Sequence, residues 1–139
     1  MNWLPWALLS AAFAGATAVL AKAGVGDVDS NLATAIRTTV VLMLAWGIAL
    51  LTGPVSAVTS LSRRTWLFLF LSGMATGLSW LCYFRALKLG PVAKVAPVDK
   101  LSVVFVLVFA ATFLGEPLTW KTALGAALIT AGAVVLAWR

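Results

Sequence analysis

Three charged side chains, Lys94, Asp99 and Lys100, lie within seven residues at the start of a long apolar run. The slightly longer stretch from Gly90 to Lys100 contains two prolines, Pro91 and Pro97. One of them, Pro97, cannot donate a backbone hydrogen bond, so a helix here should kink or loosen. Ionisable groups beside a broken helix at membrane depth are typical of a site that binds a transported substrate or ion. The alternative is a polar helix end whose charges reach the lipid headgroups.

On an ideal helix these three charges do not share one face. Lys94 would be separated from Asp99 by about 140° and from Lys100 by about 120°. Two arrangements stay open: the break at Pro97 rotates the charges together, or Asp99 pairs with a basic residue from elsewhere in the chain.

Arg37 is a fourth charge inside an apolar segment, with Thr34 and Thr38 close to it in sequence. A guanidinium presents a planar fork of donors that matches a carboxylate or phosphate, so Arg37 would clamp an anion and the threonines would add hydroxyl partners. The equally weighted alternative is an interfacial arginine that snorkels to the surface.

Ser79, Trp80 and Tyr83 follow one another within about one helical turn. We expect them to line a cavity beside Lys94, although aromatic residues at this spacing also serve simple packing. With Arg37 and the three charges of the proline-containing stretch, they complete the predicted substrate-binding residues.

The composition sets the environment of these residues. Of 139 residues, 63% are hydrophobic and 10% are charged, whereas soluble domains contain about 25% charged residues. The chain is therefore predicted to be an integral membrane protein. It has no histidine and one cysteine, Cys82, which excludes an internal disulfide and a His/Cys metal site. We expect no cofactor. The formal charge of +6 is scattered among apolar runs, so we expect contact with anionic lipid and no nucleic acid.

Five segments are long and apolar enough, or nearly so, to cross a bilayer as helices. They are residues 3–21, 32–51, 65–84, 91–114 and 118–138. The sequence thus predicts an all-α integral membrane protein with one five-helix domain over 1–139 and termini on opposite sides. The first segment lacks a basic n-region and is too long for a signal peptide, so we expect a retained span.

Short connections between the segments make consecutive helices antiparallel neighbours and contain residues that start or stop helices. Gly53–Pro54 ends the second segment and Gly115 ends the fourth. Asp29 is expected to cap the second helix and Glu116 the fifth. Small residues in the fifth segment, among them Gly125, Ala126 and Gly132, favour a dimer seam there.

The basic residues do not fix the orientation of the chain. The side that holds the N-terminus receives Arg63, Arg64 and Lys121, and the opposite side receives Lys22, Arg85, Lys88 and Arg139. If the basic residues inside the helices form a buried site, this near balance sets no direction. Two copies could then insert in opposite senses and form an inverted pair. We expect such an antiparallel homodimer, with a parallel dimer as the alternative.

Three stretches of the second half can be compared with known families: RALKLGPVAKVAP, from Arg85 to Pro97, and the later FLGEPLTW and LGAALITAGAVV. They resemble the EamA-type proteins of the drug/metabolite transporter superfamily, clearly in the second half and by helix count in the first. That resemblance implies a five-helix unit that pairs with another copy, in a bacterial-type inner (plasma) membrane.

The resemblance also bears on the substrate. Small multidrug-resistance relatives have a glutamate in their first helix, and the first predicted helix here contains no acidic residue. The intramembrane charges are mostly basic, so an anionic or zwitterionic metabolite moved by alternating access is expected. Asp99 would act as a counter-ion or carry a coupling proton. The alternatives are a non-transporting partner subunit of another membrane complex and an exporter of cations. An enzyme is not expected, because no nucleophile–base arrangement is found.

Overall fold

The computed structural model describes residues 2–53 and 55–138; Pro54 and Arg139, used above, lie outside them. In chain order the α-helices are α1 (Leu4–Val25), α2 (Ser30–Thr52), α3 (Arg63–Leu89), α4 (Val92–Asp99), α5 (Ser102–Phe109) and α6 (Trp120–Ala137). A 3₁₀ helix covers Val55–Ser60, and a π-helical turn, Ala110–Leu114, continues α5.

Five helical stretches in the described residues are long and apolar enough to cross a membrane, which confirms the predicted all-α membrane class. The fourth of these spans, Val92–Leu114, comprises α4, α5 and the π turn. Large apolar side chains along all five spans are exposed. Such a surface requires lipid or a protein partner around it.

Two helices run further than the apolar runs that predict them. α1 continues to Val25 and α3 continues to Leu89, so that Lys22 and Lys88 lie in last helical turns. Lysine has a good helix propensity and is favoured at a helix C-terminus by the dipole. The end of an apolar run is therefore not the end of the helix.

The two predicted N-caps have different outcomes. The Asp29 carboxylate accepts hydrogen bonds from the backbone of Asn31 (2.9 Å) and Leu32 (3.1 Å), which confirms the cap of α2. Glu116 does not cap the last helix, because α6 begins only at Trp120. Its N-cap is Thr119, which forms a capping box with Thr122. A hydroxyl next to the first turn reaches the free N–H groups that a residue four positions away does not.

Gly115 ends the fourth span as predicted. It is in the left-handed conformation at φ 68°, and the N–H of Glu116 donates to the carbonyl of Ala110 at 3.1 Å. Glycine takes this conformation without the steric cost that a Cβ brings, so it closes the helix here.

The helices group into two compact units. Unit 1 contains the chain up to Lys22 and the chain from Leu89 onward; unit 2 is Ala23–Lys88. In unit 1, α6 packs on α4 and α5. The Lys22 ammonium donates to the carbonyl of Gly90 at 2.9 Å and so ties the end of α1 to the start of α4.

Small side chains form the inward face of α6 in unit 1. Ala133 is buried, and Ala126 and Gly125 are half-buried. Small residues let helix backbones approach closely in a membrane. Gly125 nevertheless has open space where a Cβ would lie, and Gly132 is exposed, so the dimer seam expected on this helix stays a prediction.

Candidate functional site

The fourth span is interrupted just after Pro97. Beyond that residue the backbone bonds join i and i+3: Lys100 N–H donates to Pro97 O at 3.1 Å and Leu101 N–H donates to Val98 O at 3.0 Å. The regular helix resumes at Ser102. A proline removes the α-helical hydrogen bond to the carbonyl four residues earlier, here that of Ala93, and crowds the preceding turn. The tighter 3₁₀-type pairing lies in the turn that follows it. The loosening was predicted at Pro97, but α4 continues through Pro97 to Asp99 and the break lies at Lys100 and Leu101.

Asp99 and Lys100 form an ion pair at this break. The Lys100 ammonium lies 3.3 Å from a carboxylate oxygen of Asp99, and the two side chains are 58% and 38% exposed for lysine and aspartate respectively. Asp99 thus pairs with its neighbour in sequence. Along the span the pair lies about 10 Å from the first residue, Val92. An exposed ion pair at that depth is costly when it faces only hydrocarbon.

Lys94 has a partner on another helix. Its ammonium lies 3.3 Å from the carbonyl oxygen of Trp138, the C-cap residue of α6. Lysine is favourable at a helix C-terminus, where it neutralises the negative end of the dipole. Lys94 therefore stabilises the end of α6 as well as adding a charge to the fourth span.

Lys94 and Lys100 both face α6 despite their separation on an ideal helix. Lys94 contacts Trp138, and Lys100 borders an open groove of about 410 Å³ between the fourth span and α6. The groove is lined by Ala96, Pro97, Lys100, Ile129, Gly132, Ala133 and Leu136. The order of these contacts along the two helices makes them antiparallel, as predicted for this pair.

In unit 2, Arg37 stacks on aromatic rings of α3. Its guanidinium carbon, Cζ, lies 4.2 Å from the centre of the Trp80 ring and 5.5 Å from the centre of the Phe84 ring. Arg37 and Trp80 are half-buried and Phe84 is buried. Cation–π contacts of this kind stabilise by about 0.5–2 kcal/mol, more as water is excluded.

The two threonines near Arg37 use their hydroxyl protons within α2. Thr34 donates to the carbonyl of Ser30 at 2.8 Å, and Thr38 donates to the carbonyl of Thr34 at 2.7 Å. Threonine in a helix commonly bonds the carbonyl four residues earlier. These hydroxyls therefore offer only lone pairs to a neighbour and do not act as the donors expected for an anion.

Of the three residues predicted to line a cavity, Trp80 contacts another predicted site residue. Ser79 is exposed and Tyr83 is half-buried on the same helix. Phe84 was missed in the sequence, although it follows Trp80 by four residues and so lies one turn further on the same face. The predicted residues divide between the units, with Arg37, Ser79, Trp80 and Tyr83 in unit 2 and the other three in unit 1.

Charge at the end of unit 2 is balanced around Asp29. Hydrogen bonds from Leu32 and then Asn31, with smaller contributions from Lys88 and Arg85, hold the pKa of this carboxyl below its ordinary value of 3.8. The Lys88 ammonium also donates to the carbonyl of Val28 at 2.9 Å. Arg85 and Lys88 thus lie near a carboxylate, whereas Arg37 lies against aromatic rings.

Comparison with known proteins identifies the family. The model of the EamA-like transporter family matches residues 1–138. The chain belongs to this family. A Sinorhizobium protein described as an uncharacterized transporter in the cobO 3′ region is 56% identical over 136 residues, covering 98% of this chain and 96% of that protein. No solved structure matches the chain. With its five apolar spans, the chain is an EamA-like integral membrane transporter.

Proposed function

We propose that this chain is one subunit of a secondary transporter that moves a small anionic or zwitterionic metabolite by alternating access. Arg37 binds the anionic group, and Lys94 and Lys100 add positive charge along the fourth span. Asp99 is the counter-ion or carries the coupling proton. The membrane is the bacterial inner membrane, in keeping with the bacterial source of the 56% identical relative.

The observation that carries this proposal is the exposed Asp99–Lys100 pair at the break in the fourth span. Discontinuous spans of transporters commonly present backbone and charged groups to a solute near the middle of the bilayer. Both side chains of the pair are partly exposed, so each partner has surface left for another ligand. A substrate anion would compete with Asp99 for Lys100 and so couple solute binding to the charge state of Asp99.

We further propose that two copies form an inverted homodimer. An odd number of spans places the termini on opposite sides, and the near balance of basic residues permits both insertions. The groove beside Lys100 is open and apolar. A second copy seated there would place protein, instead of lipid, next to the ion pair, which lowers the cost of charge at this depth.

Transport is tested with the full chain reconstituted on a solid-supported membrane. Rapid pulses of monocarboxylates, amino acids and organic cations are applied, and the current is recorded. Anionic or zwitterionic solutes are expected to give currents that fall strongly when Lys94→Met, Asp99→Asn and Lys100→Met are combined. Lys121→Met, an exposed charge at the start of α6, is the matched control. Unchanged currents in the triple variant would contradict the proposal. Currents with organic cations alone would favour a cation exporter.

A further inference from the structure

The guanidinium of Arg37 has no partner for its N–H groups among the described residues. Its contacts are the rings of Trp80 and Phe84. The ion pair found among the described residues joins Asp99 to Lys100 and does not include Arg37. A guanidinium carries five N–H donors. Donors left unpaired in an apolar environment are costly, so this group requires water, lipid or a ligand.

The guanidinium lies inside the span instead of at its end. Arg37 follows Ser30 by roughly 10 Å along α2, and Trp80 precedes Leu89 by roughly 13 Å along α3. Side chains on a helix lean toward its N-terminus, which is away from Leu89 for Trp80 and toward Ser30 for Arg37. The guanidinium is nearer Trp80 than Phe84, the ring one turn closer to that end. This placement argues against a side chain that snorkels to the surface.

Stacking determines which part of Arg37 can bind a ligand. The guanidinium carbon lies over the Trp80 ring, 4.2 Å from its centre, and over the Phe84 ring, 5.5 Å from its centre. The N–H groups point outward in the plane of the guanidinium, along its edges. A planar edge with two parallel donors fits a carboxylate in bidentate fashion.

The local charge favours a monoanion over a phosphate. Arg85 and Lys88, the cations near the end of α3, act on the carboxylate of Asp29 and lower its pKa. Arg37 therefore supplies one positive charge to its surroundings. One carboxylate neutralises it, whereas a phosphate monoester carries about −1.5 to −2 at neutral pH and would be left partly uncompensated.

We infer that Arg37 binds the carboxylate group of the transported solute edge-on, and that Trp80 and Phe84 are positioning residues that hold the guanidinium plane. The inference rests on the proposed transport function and narrows its substrate class to carboxylate-bearing solutes. Trp80 and Phe84 act through Arg37: their rings lie against the guanidinium and leave its edges free.

The first test is modification of arginine by phenylglyoxal in vesicles containing the full chain, read out by mass spectrometry. Arg64 is the matched control, since it also lies over a ring, Phe68 at 5.8 Å, but at the start of α3. Acetate and benzoate at about ten times their Kd are expected to slow modification of Arg37 about tenfold. Acetamide, benzamide and inorganic phosphate are expected to leave it unchanged, and Arg64 should react equally throughout.

Each contrary result overturns the inference. If Arg37 never reacts while Arg64 does, Arg37 is inaccessible and serves only in packing. If amides protect Arg37 as well as carboxylates do, or phosphate protects it better, its ligand is not a carboxylate. The test is run in phosphatidylcholine vesicles with and without phosphatidylserine. If Arg37 is protected only in vesicles that contain phosphatidylserine, and acetate and benzoate have no effect, the carboxylate comes from a lipid headgroup. This result also contradicts a solute site.

Variants separate binding from positioning. Arg37→Lys keeps the charge but loses the planar fork, so the half-saturating carboxylate concentration should rise about tenfold to a hundredfold, the effect of one or two charge-assisted hydrogen bonds. Trp80→Leu should raise it too, and Trp80→Phe should restore most of the affinity. A merely structural role for Trp80 would lower the amount of folded protein without changing this concentration.

The inference and the proposed function fail in different ways. Currents that persist in Arg37→Met with the same preference for carboxylates over amides refute the Arg37 site and leave the transport proposal standing. Protection of Arg37 by carboxylates in a wild-type chain that carries no current has the opposite meaning: the site exists and transport does not.

Discussion

The ammonium nitrogen of Lys94 lies 3.3 Å from the carbonyl oxygen of Trp138, so a charge of the fourth span closes the C-terminal end of α6. The same lysine is a candidate for substrate binding, and the two roles have different requirements. A substrate site needs a positive charge, whereas the helix end needs a donor at this position. Arginine and lysine both supply the charge and the donor. A replacement that has neither, such as methionine, removes the stabilising contact.

We predict that Lys94→Met lowers the free energy of unfolding by about 1 kcal/mol, the value of a partly exposed hydrogen bond from a charged group. Thermal unfolding in detergent should show a melting temperature lower by roughly 3 °C. Lys94→Arg should stay close to wild type. A Met variant as stable as wild type would mean that the Trp138 contact contributes nothing to the fold.

Pro97→Ala is expected to restore regular helical pairing through the break. An N–H at position 97 would donate to the carbonyl of Ala93, and without the ring α4 would continue through position 101. The amides of Lys100 and Leu101 would then bond four residues back, and their hydrogen exchange should slow about tenfold. Transport currents should fall, because the charges would return to separate faces. Pro117→Ala, in the non-helical connection before α6, is the control. Equal exchange in the wild-type and Pro97→Ala chains would show that the proline does not cause the break.

The start of α6 offers a sharp comparison between two candidate caps. Thr119→Ala removes the side chain that accepts from Thr122 N–H at 3.2 Å, and should lower the free energy of unfolding by about 1 kcal/mol. Glu116→Gln should leave it unchanged. Chemical denaturation of the purified variants measures both. A larger loss for Glu116→Gln than for Thr119→Ala would reverse the assignment.

Local signals in the sequence predicted much of the fold. The side-chain contacts that they did not predict join residues far apart in the chain. Apolar length predicts the five spans, and the chemistry of Asp29 and Gly115 predicts a helix start and a helix end, since these depend on neighbouring residues alone. Neither the contact of Lys94 with Trp138 nor that of Arg37 with Trp80 follows from helical periodicity. Each joins positions more than 40 residues apart, where packing selects the partner.

Asp29 gives a prediction of pH dependence. Its pKa is lowered in the folded chain, chiefly by the hydrogen bonds from Leu32 and Asn31. The stabilisation of α2 by this carboxylate is therefore fully present above pH 3.8, the ordinary value, and is lost as the pH falls through the lower folded pKa. Amide exchange at positions 31 and 32, corrected for its intrinsic rate, should show loss of protection in that range. Asp29→Asn caps without a charge and should show no such step; the same step in that variant would contradict the assignment.

The central claim is that two copies of this one chain, inserted in opposite senses, form the transporter. The measurement that tests it most directly is the labelling of single cysteines from outside intact cells with a membrane-impermeant maleimide. In a Cys82→Ser background, Asn2→Cys and Asp27→Cys place the label before and after α1. The inverted pair predicts that each position is labelled in about half of the molecules. Complete labelling of one position and complete protection of the other would contradict the inverted homodimer.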